Sequence, residues 1–144
     1  MSTLTFDTTT FIAAAPRALR AESAGMTPEQ FHERYCGHDG PIRISDWAAT
    51  GGRIAAFTAT LEFADRLRSV AAIGSPVAAL TSALYEEGFP VEILQFHQRR
   101  TELGTATFVQ CEVNGRRGWG AALAHDGAES TARAMISGVN RLGG

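Results

Sequence analysis

The sequence predicts an α+β fold of two βββα units, preceded by a small N-terminal helical segment. Three observations predict it: apolar and polar residues alternate in several short runs, one later run in each half has the 3.6-residue period of a helix, and the order strand, strand, strand, helix occurs twice. The halves align at one constant offset, which places residues 64–65 on 114–115 and residues 75–76 on 125–126. Such a duplication predicts that the two units pack their apolar faces together.

The N-terminal segment, residues 1–40, carries the signals of short helices. Pro16 interrupts or starts a helix between residues 6 and 24, because proline lacks the amide that a helix interior requires. Thr27, Pro28 and Gln30 then have the spacing of a capping box, in which two backbone amides at a helix start are satisfied reciprocally. We expect a helical linker that leads into a domain spanning residues 41–144.

The two units are predicted at residues 42–88 and 90–142. Each starts with three runs typical of half-buried strands, at residues 42–47, 57–63, 67–73, 91–99, 106–113 and 116–124. Asn114 and Gly115 separate the last two strands. Both central positions of such a two-residue turn need positive φ, which these residues tolerate, so the pair predicts a hairpin.

Each unit ends in an amphipathic helix. The first helix begins at Ser75 and Pro76, and the second at Asp126, where Asp126 and Glu129 have the spacing of a second capping box. The apolar faces of the two helices are predicted at Val77, Leu80, Leu84, Ala128, Ala132, Met135 and Val139.

The composition narrows the class of function. The 144 residues are 44% hydrophobic and 19% charged, which is typical of one globular domain. All 13 basic residues are arginines, and they alternate with acidic ones, so we expect no nucleic-acid partner. The N-terminus lacks a signal-peptide pattern, and no apolar run approaches the roughly 18 residues of a membrane span. We therefore expect a cytoplasmic protein without a membrane partner.

Several segments resemble one known family. They read VEILQFH at residues 91–97, ATFVQCEV at 106–113, GWGAAL at 118–123 and SPVAAL at 75–80, with further likeness at 27–35 and 133–141. Together they resemble the C-terminal regulatory domain of 2-isopropylmalate synthase. The resemblance implies two βββα units, a homodimer, and a site near the dimer interface that binds leucine and feeds back on a separate catalytic barrel.

That barrel has no counterpart in this sequence. A (β/α)₈ barrel takes about 250 residues, and the chain has 144. The resemblance therefore implies a non-catalytic domain without a cofactor. Its expected partners are a second copy, leucine or another small branched-chain or apolar amino acid, and a full-length synthase.

The expected ligand site lies at the starts of the two helices. Unpaired backbone amides there attract a carboxylate, and Asp126 can either accept the ammonium of an amino acid or cap its helix. The predicted ligand-binding residues are Gly74, Ser75, Pro76, Val77, Phe96, Ala124, His125 and Asp126. The family has an asparagine in the turn before the first helix, where this chain has Ile73, Gly74 and Ser75. The absence of this asparagine favours an alternative function, in which the chain is a structural dimerisation or interaction module without a small-molecule ligand.

The sequence predicts neither a metal site nor a catalytic nucleophile. His32, Cys36 and His38 could hold a metal, but they are crowded around one helix end, so we predict no metal site. Cys111 alternates with valines and is expected to be a buried structural thiol. A Ser130, His125 and Asp126 triad lacks the Gly-x-Ser-x-Gly turn of a hydrolase.

The mode of dimerisation is also inferred. We expect one sheet to join both units and to pair with its copy about a two-fold axis, with Trp119 and Phe96 near that interface.

Overall fold

The computed structural model describes residues 8–37, 40–50 and 56–143. Three short helices come first, followed by two βββα units, so the predicted α+β class is confirmed. In chain order the elements are α1 (Thr8–Ala13), α2 (Arg17–Glu22), α3 (Pro28–Tyr35), β1 (Arg43–Thr50), β2 (Ala56–Glu62), β3 (Leu67–Ile73), α4 (Pro76–Glu86), β4 (Val91–Thr101), β5 (Gly104–Val113), β6 (Arg116–Ala124) and α5 (Gly127–Gly143). In the described ranges no helix has the length and apolarity of a membrane span.

The strands form two separate antiparallel sheets, ordered β1-β2-β3 and β4-β5-β6. The expectation of one sheet joining both units is therefore wrong, since the strands of each unit pair only among themselves. The predicted hairpin is confirmed, with φ of 51° at Asn114 and 83° at Gly115. The β4–β5 connection is tighter than expected, because both strands continue to Thr101 and Gly104.

The main core lies where the apolar faces of both units meet. Large buried side chains come from the first sheet, from both helices and from the inner face of the second sheet, as the predicted periodicities require. They include Phe57, Leu61, Leu80, Leu84, Val109, Cys111, Met135 and Val139. Each fully buried Leu or Phe contributes about 1.5–3 kcal/mol relative to exposure, so the shared core couples the stabilities of the two units.

The N-terminal helices cover the opposite face of the second sheet. Thr27 caps α3 by accepting from the Gln30 amide (3.1 Å), and the Gln30 side chain accepts from the Thr27 amide (2.9 Å), which confirms the capping box. Phe11 stacks on Phe108 of β5, with ring centroids 5.2 Å apart, and Trp119 of β6 is 1% exposed in the same cluster. Trp119 is thus a core residue, covered by the N-terminal helices.

Helix α5 lies directly on β6 because two glycines face each other there. A Cβ on Gly120 would overlap the Ala134 carbonyl and the Gly138 backbone, and a Cβ on Gly138 would come within 2.8 Å of the Cys111 sulfur. Farther along α5, the buried Asn140 amide holds the backbone of Ile42, just before β1. Small residues therefore set the helix-to-sheet distance, and one side chain ties the first unit to the last helix.

Candidate functional site

The start of α5 places Asp126 at the centre of the predicted ligand site. Its carbonyl accepts from the Ser130 amide at 2.9 Å, and its Oδ1 accepts from the Ala128 amide at 3.3 Å. The predicted second capping box does not form among the described residues, because Asp126 Oδ1 accepts from the second amide of the helix, at Ala128, and not from the third, and the Glu129 carboxylate accepts from Arg133 Nε at 2.8 Å. Asp126 Oδ2 is screened from solvent and has no hydrogen-bond partner among the described residues. A buried carboxylate oxygen without a partner is costly, so it is a place where a donor from a ligand is favoured.

A polar cluster holds the first turn of α5 against the second sheet. Gln98 Nε2 of β4 lies 2.9 Å from Thr107 Oγ1, 3.0 Å from Thr131 Oγ1 and 3.1 Å from the Gly127 carbonyl. The buried Ser130 hydroxyl lies 2.8 Å from the Thr105 carbonyl and 2.7 Å from Thr107 Oγ1. These bonds position the backbone amides at the helix start, where an anion would bind.

Sequence reasoning missed this polar cluster. The available signal was at Thr105 and Thr107, which occupy inward-facing positions of β5 where Val109 and Cys111 continue the same alternation. A hydroxyl at an apolar position indicates a buried partner. The partners, Gln98 and Ser130, lie on two other elements and could not be found from local spacing.

The start of α4 has a different character. Gly74 takes φ of 94° with open space around its α-carbon, and Ser75 is exposed at the N-cap position without a side-chain capping bond. Pro76 begins the helix as predicted, and Val77 lines a groove of about 580 Å³ between α4 and β4. The Ser75 side chain thus leaves the first backbone amides of α4 uncapped.

The remaining predicted residues flank the start of α5. Ala124 ends β6, its carbonyl closely approaching Gly104, and His125 is exposed. Phe96 is 48% exposed on the edge strand β4, opposite Val109. Within the described ranges, no hydrogen bond or ion pair joins residues 74–77 to residues 124–126. The structure brings the second group together with the polar cluster and leaves the first group at a separate turn.

The two cysteine thiols and the Ser130 hydroxyl are unsuited to nucleophilic attack. Burial raises the pKa of both the Cys36 and Cys111 thiols to about 12, so they stay protonated near neutral pH. Ser130 is fully buried and hydrogen-bonded to backbone carbonyls. Of the three side chains considered and not predicted as metal ligands, His38 lies outside the described residues. The described residues contain no group of three side chains that could hold a metal ion.

Another cavity lies between the N-terminal helices and the second unit. Its volume is about 540 Å³, and it is lined by α1, α3, the start of β1, β6 and one face of α5. None of the predicted ligand-binding residues lines it.

Comparison with known proteins gives relatives of one kind. The chain is 33% identical over 82 residues to the 2-isopropylmalate synthase of Clavibacter michiganensis subsp. michiganensis, which covers 54% of this chain and 14% of the relative. It is 37% identical over 70 residues to that of Corynebacterium glutamicum, covering 46% and 11%. The synthase of Mycobacterium leprae is 26% identical over 145 aligned positions, covering 91% and 24%. No protein-family model matches the chain.

The matches cover only a short stretch of each relative. The chain spans about a quarter or less of the length of the relatives it matches, while one alignment covers nearly all of this chain. The likeness therefore concerns one segment of a much longer enzyme, as expected for a single domain of it. The resemblance predicted from the sequence is confirmed: this chain is related to a segment of the 2-isopropylmalate synthases.

Proposed function

We propose that this chain is a non-catalytic, dimeric regulatory-type domain that binds a small branched-chain or other apolar amino acid, or that modulates a related synthase. One observation carries the proposal: a duplicated βββα fold whose relatives match it over at most 24% of their length. A segment of that size is too short for the roughly 250 residues of a catalytic barrel. The thiols and the Ser130 hydroxyl, held by burial and hydrogen bonds, also argue against covalent catalysis.

The start of α5 offers groups that an amino acid requires. The helix-terminal amides, held in place by the polar cluster, suit a carboxylate. Asp126 Oδ2 has no hydrogen-bond partner in the described part of the chain, and it suits an ammonium group. Phe96 supplies exposed apolar surface on the neighbouring β4. A second copy would complete the site by covering that surface.

The direct test is thermal unfolding of the chain against leucine, isoleucine, valine and alanine. A ligand at a hundred times its Kd stabilises the native state by about 2.7 kcal/mol, which raises the Tm by roughly 8 °C for a chain of this size. We expect one of the branched amino acids to give a saturable rise. Equal shifts with all four, or none with any, would contradict amino-acid binding.

Two substitutions separate ligand contact from helix capping. Asp126→Asn keeps an oxygen that can accept from the Ala128 amide but removes the negative charge, so it should abolish the response while leaving apo stability nearly unchanged. Asp126→Ala removes the cap as well and should lower apo stability by about 1 kcal/mol. A full ligand response in Asp126→Asn would exclude an ammonium contact at this carboxylate.

A specific observation favours a second candidate, an interaction module without a small-molecule ligand. On the first sheet Leu67 and Ile73 are 70% and 73% exposed on the face turned away from the core. These two large apolar side chains lie at opposite ends of β3 on one sheet face, and a partner that covers the whole face would bury both. This candidate predicts dimers in sedimentation experiments, no thermal response to amino acids, and dissociation on Ile73→Lys. Dimers that persist in Ile73→Lys would place the contact elsewhere.

A further inference from the structure

We propose that the groove between α4 and the first residues of β4 binds an extended peptide, which adds to the second sheet as a further strand and carries a basic side chain between two apolar ones. This surface is separate from the helix starts, and the inference goes beyond the function proposed above. The groove has a volume of about 580 Å³. Apart from Val91, its lining side chains are exposed or half-buried, so a peptide can reach them.

The free edge of β4 opens into this groove. The sheet order is β4-β5-β6, so β5 pairs with one side of β4, and the other side has no strand in the described part of the chain. Val91, Glu92 and Ile93 all line the groove, although the middle side chain points to the opposite sheet face from its two neighbours. The groove therefore runs along the edge of the strand, where alternate amides and carbonyls face outward and can pair with an added strand.

Helix α4 forms the second wall and makes one side of the groove apolar. Val77, Thr81 and Tyr85 recur at four-residue spacing on the helix face that lines the groove, and Tyr85 is 69% exposed. Val91 and Ile93 pack in or against the main core, on the same side of the sheet as α4. Directly opposite residues of paired strands share a face, so the peptide residues opposite Val91 and Ile93 would point toward α4 and should be apolar.

The charge of the groove selects a basic residue between those two. Glu92 is exposed, makes no ion pair within the described ranges, and lies directly opposite Glu112 of β5. Like charges in that position repel each other, and Glu112 has its own partner in Arg117. The other charged lining residue, Glu86, is paired with Arg68, and none of the described lining residues is basic. A lysine or arginine opposite Glu92 would offset the repulsion, whereas a glutamate there would increase it.

The test is fluorescence anisotropy of labelled acetyl-Ser-Val-Arg-Val-Ser-amide titrated with the whole chain. We expect saturable binding, about threefold or more weaker binding when glutamate replaces the arginine of the peptide, and none when its three central amides are N-methylated. Glu92→Arg should reverse the preference, so that the glutamate peptide binds more tightly. Glu102→Arg is the matched control, because it makes the same charge change in the exposed turn after β4, outside the groove, and should keep the parent preference.

A second variant tests the groove itself. Ser82 is exposed on the lining face of α4, so Ser82→Trp should fill the groove without disturbing the core and should abolish peptide binding. Hydrogen exchange should slow at residues 91–93 on binding and stay unchanged in β6, the other edge strand of the sheet. Absence of saturable binding at millimolar peptide, a preference unchanged in Glu92→Arg, or binding unchanged in Ser82→Trp would overturn the proposal. Dimers that dissociate in Ser82→Trp, in a chain that binds no peptide, would also overturn it and would assign the groove to a second copy.

Discussion

The Asn140 amide is the side chain whose removal should most weaken the joint between the first unit and α5. Its Oδ1 accepts from the Ile42 amide at 3.0 Å, and its Nδ2 donates to the Ile42 carbonyl at 2.8 Å. Asn140 is 5% exposed and Ile42 is fully buried, so water cannot replace either bond. Asn140→Ala therefore leaves two buried backbone groups without partners.

The expected cost follows from those two bonds. A buried donor or acceptor left unsatisfied costs about 1–3 kcal/mol, so we expect Asn140→Ala to lower the free energy of unfolding by about 2–4 kcal/mol. Asn140→Asp keeps the acceptor for the Ile42 amide but turns the other oxygen toward the Ile42 carbonyl. At neutral pH it should cost at least as much as Asn140→Ala, because a carboxylate is buried against an acceptor.

Urea unfolding followed by circular dichroism measures these differences. Gln95→Ala is the matched control, because it removes an amide hydrogen bond to Gln110 that is exposed to water, and we expect a change within about 0.5 kcal/mol. A loss below about 1 kcal/mol in Asn140→Ala, or a loss equal to that of Gln95→Ala, would refute the reasoning that this buried contact holds the joint.

Two further predictions follow from burial. Gly120→Ala should destabilise the chain by about 1–3 kcal/mol or prevent folding, because its Cβ would overlap the backbone at Gly138. The control is Gly127→Ala, where a Cβ would meet only the Gln98 side chain at 3.4 Å. It should cost far less stability in the same urea assay. With a pKa of about 12, the thiols of Cys36 and Cys111 should be unreactive toward a disulfide reagent at pH 8 and react fully in urea. Rapid labelling of either thiol in the native state would contradict their burial.

The parts of the fold that were predictable rest on short-range signals. The capping box at Thr27 and Gln30, the Asn114-Gly115 turn and the strand at residues 67–73 each depend on residues a few positions apart. Their geometry follows from φ preferences and local hydrogen bonds, which the residue types themselves specify. The predicted second capping box, which does not form, shows the limit of such signals, because Glu129 has a competing partner in Arg133 one turn later.

The sequence by itself determined the two βββα units, their apolar faces and the residues at the helix starts, because periodicity and turn chemistry are local properties of the chain. Only the tertiary structure decided that the strands form two sheets, that helices cover Trp119, and that a cavity opens beside β6. Asn140 meets Ile42 across 98 positions, and Gln98 meets Thr131 across 33. Such contacts form when packed elements bring distant residues together, and no local pattern specifies which partner a buried polar group will find.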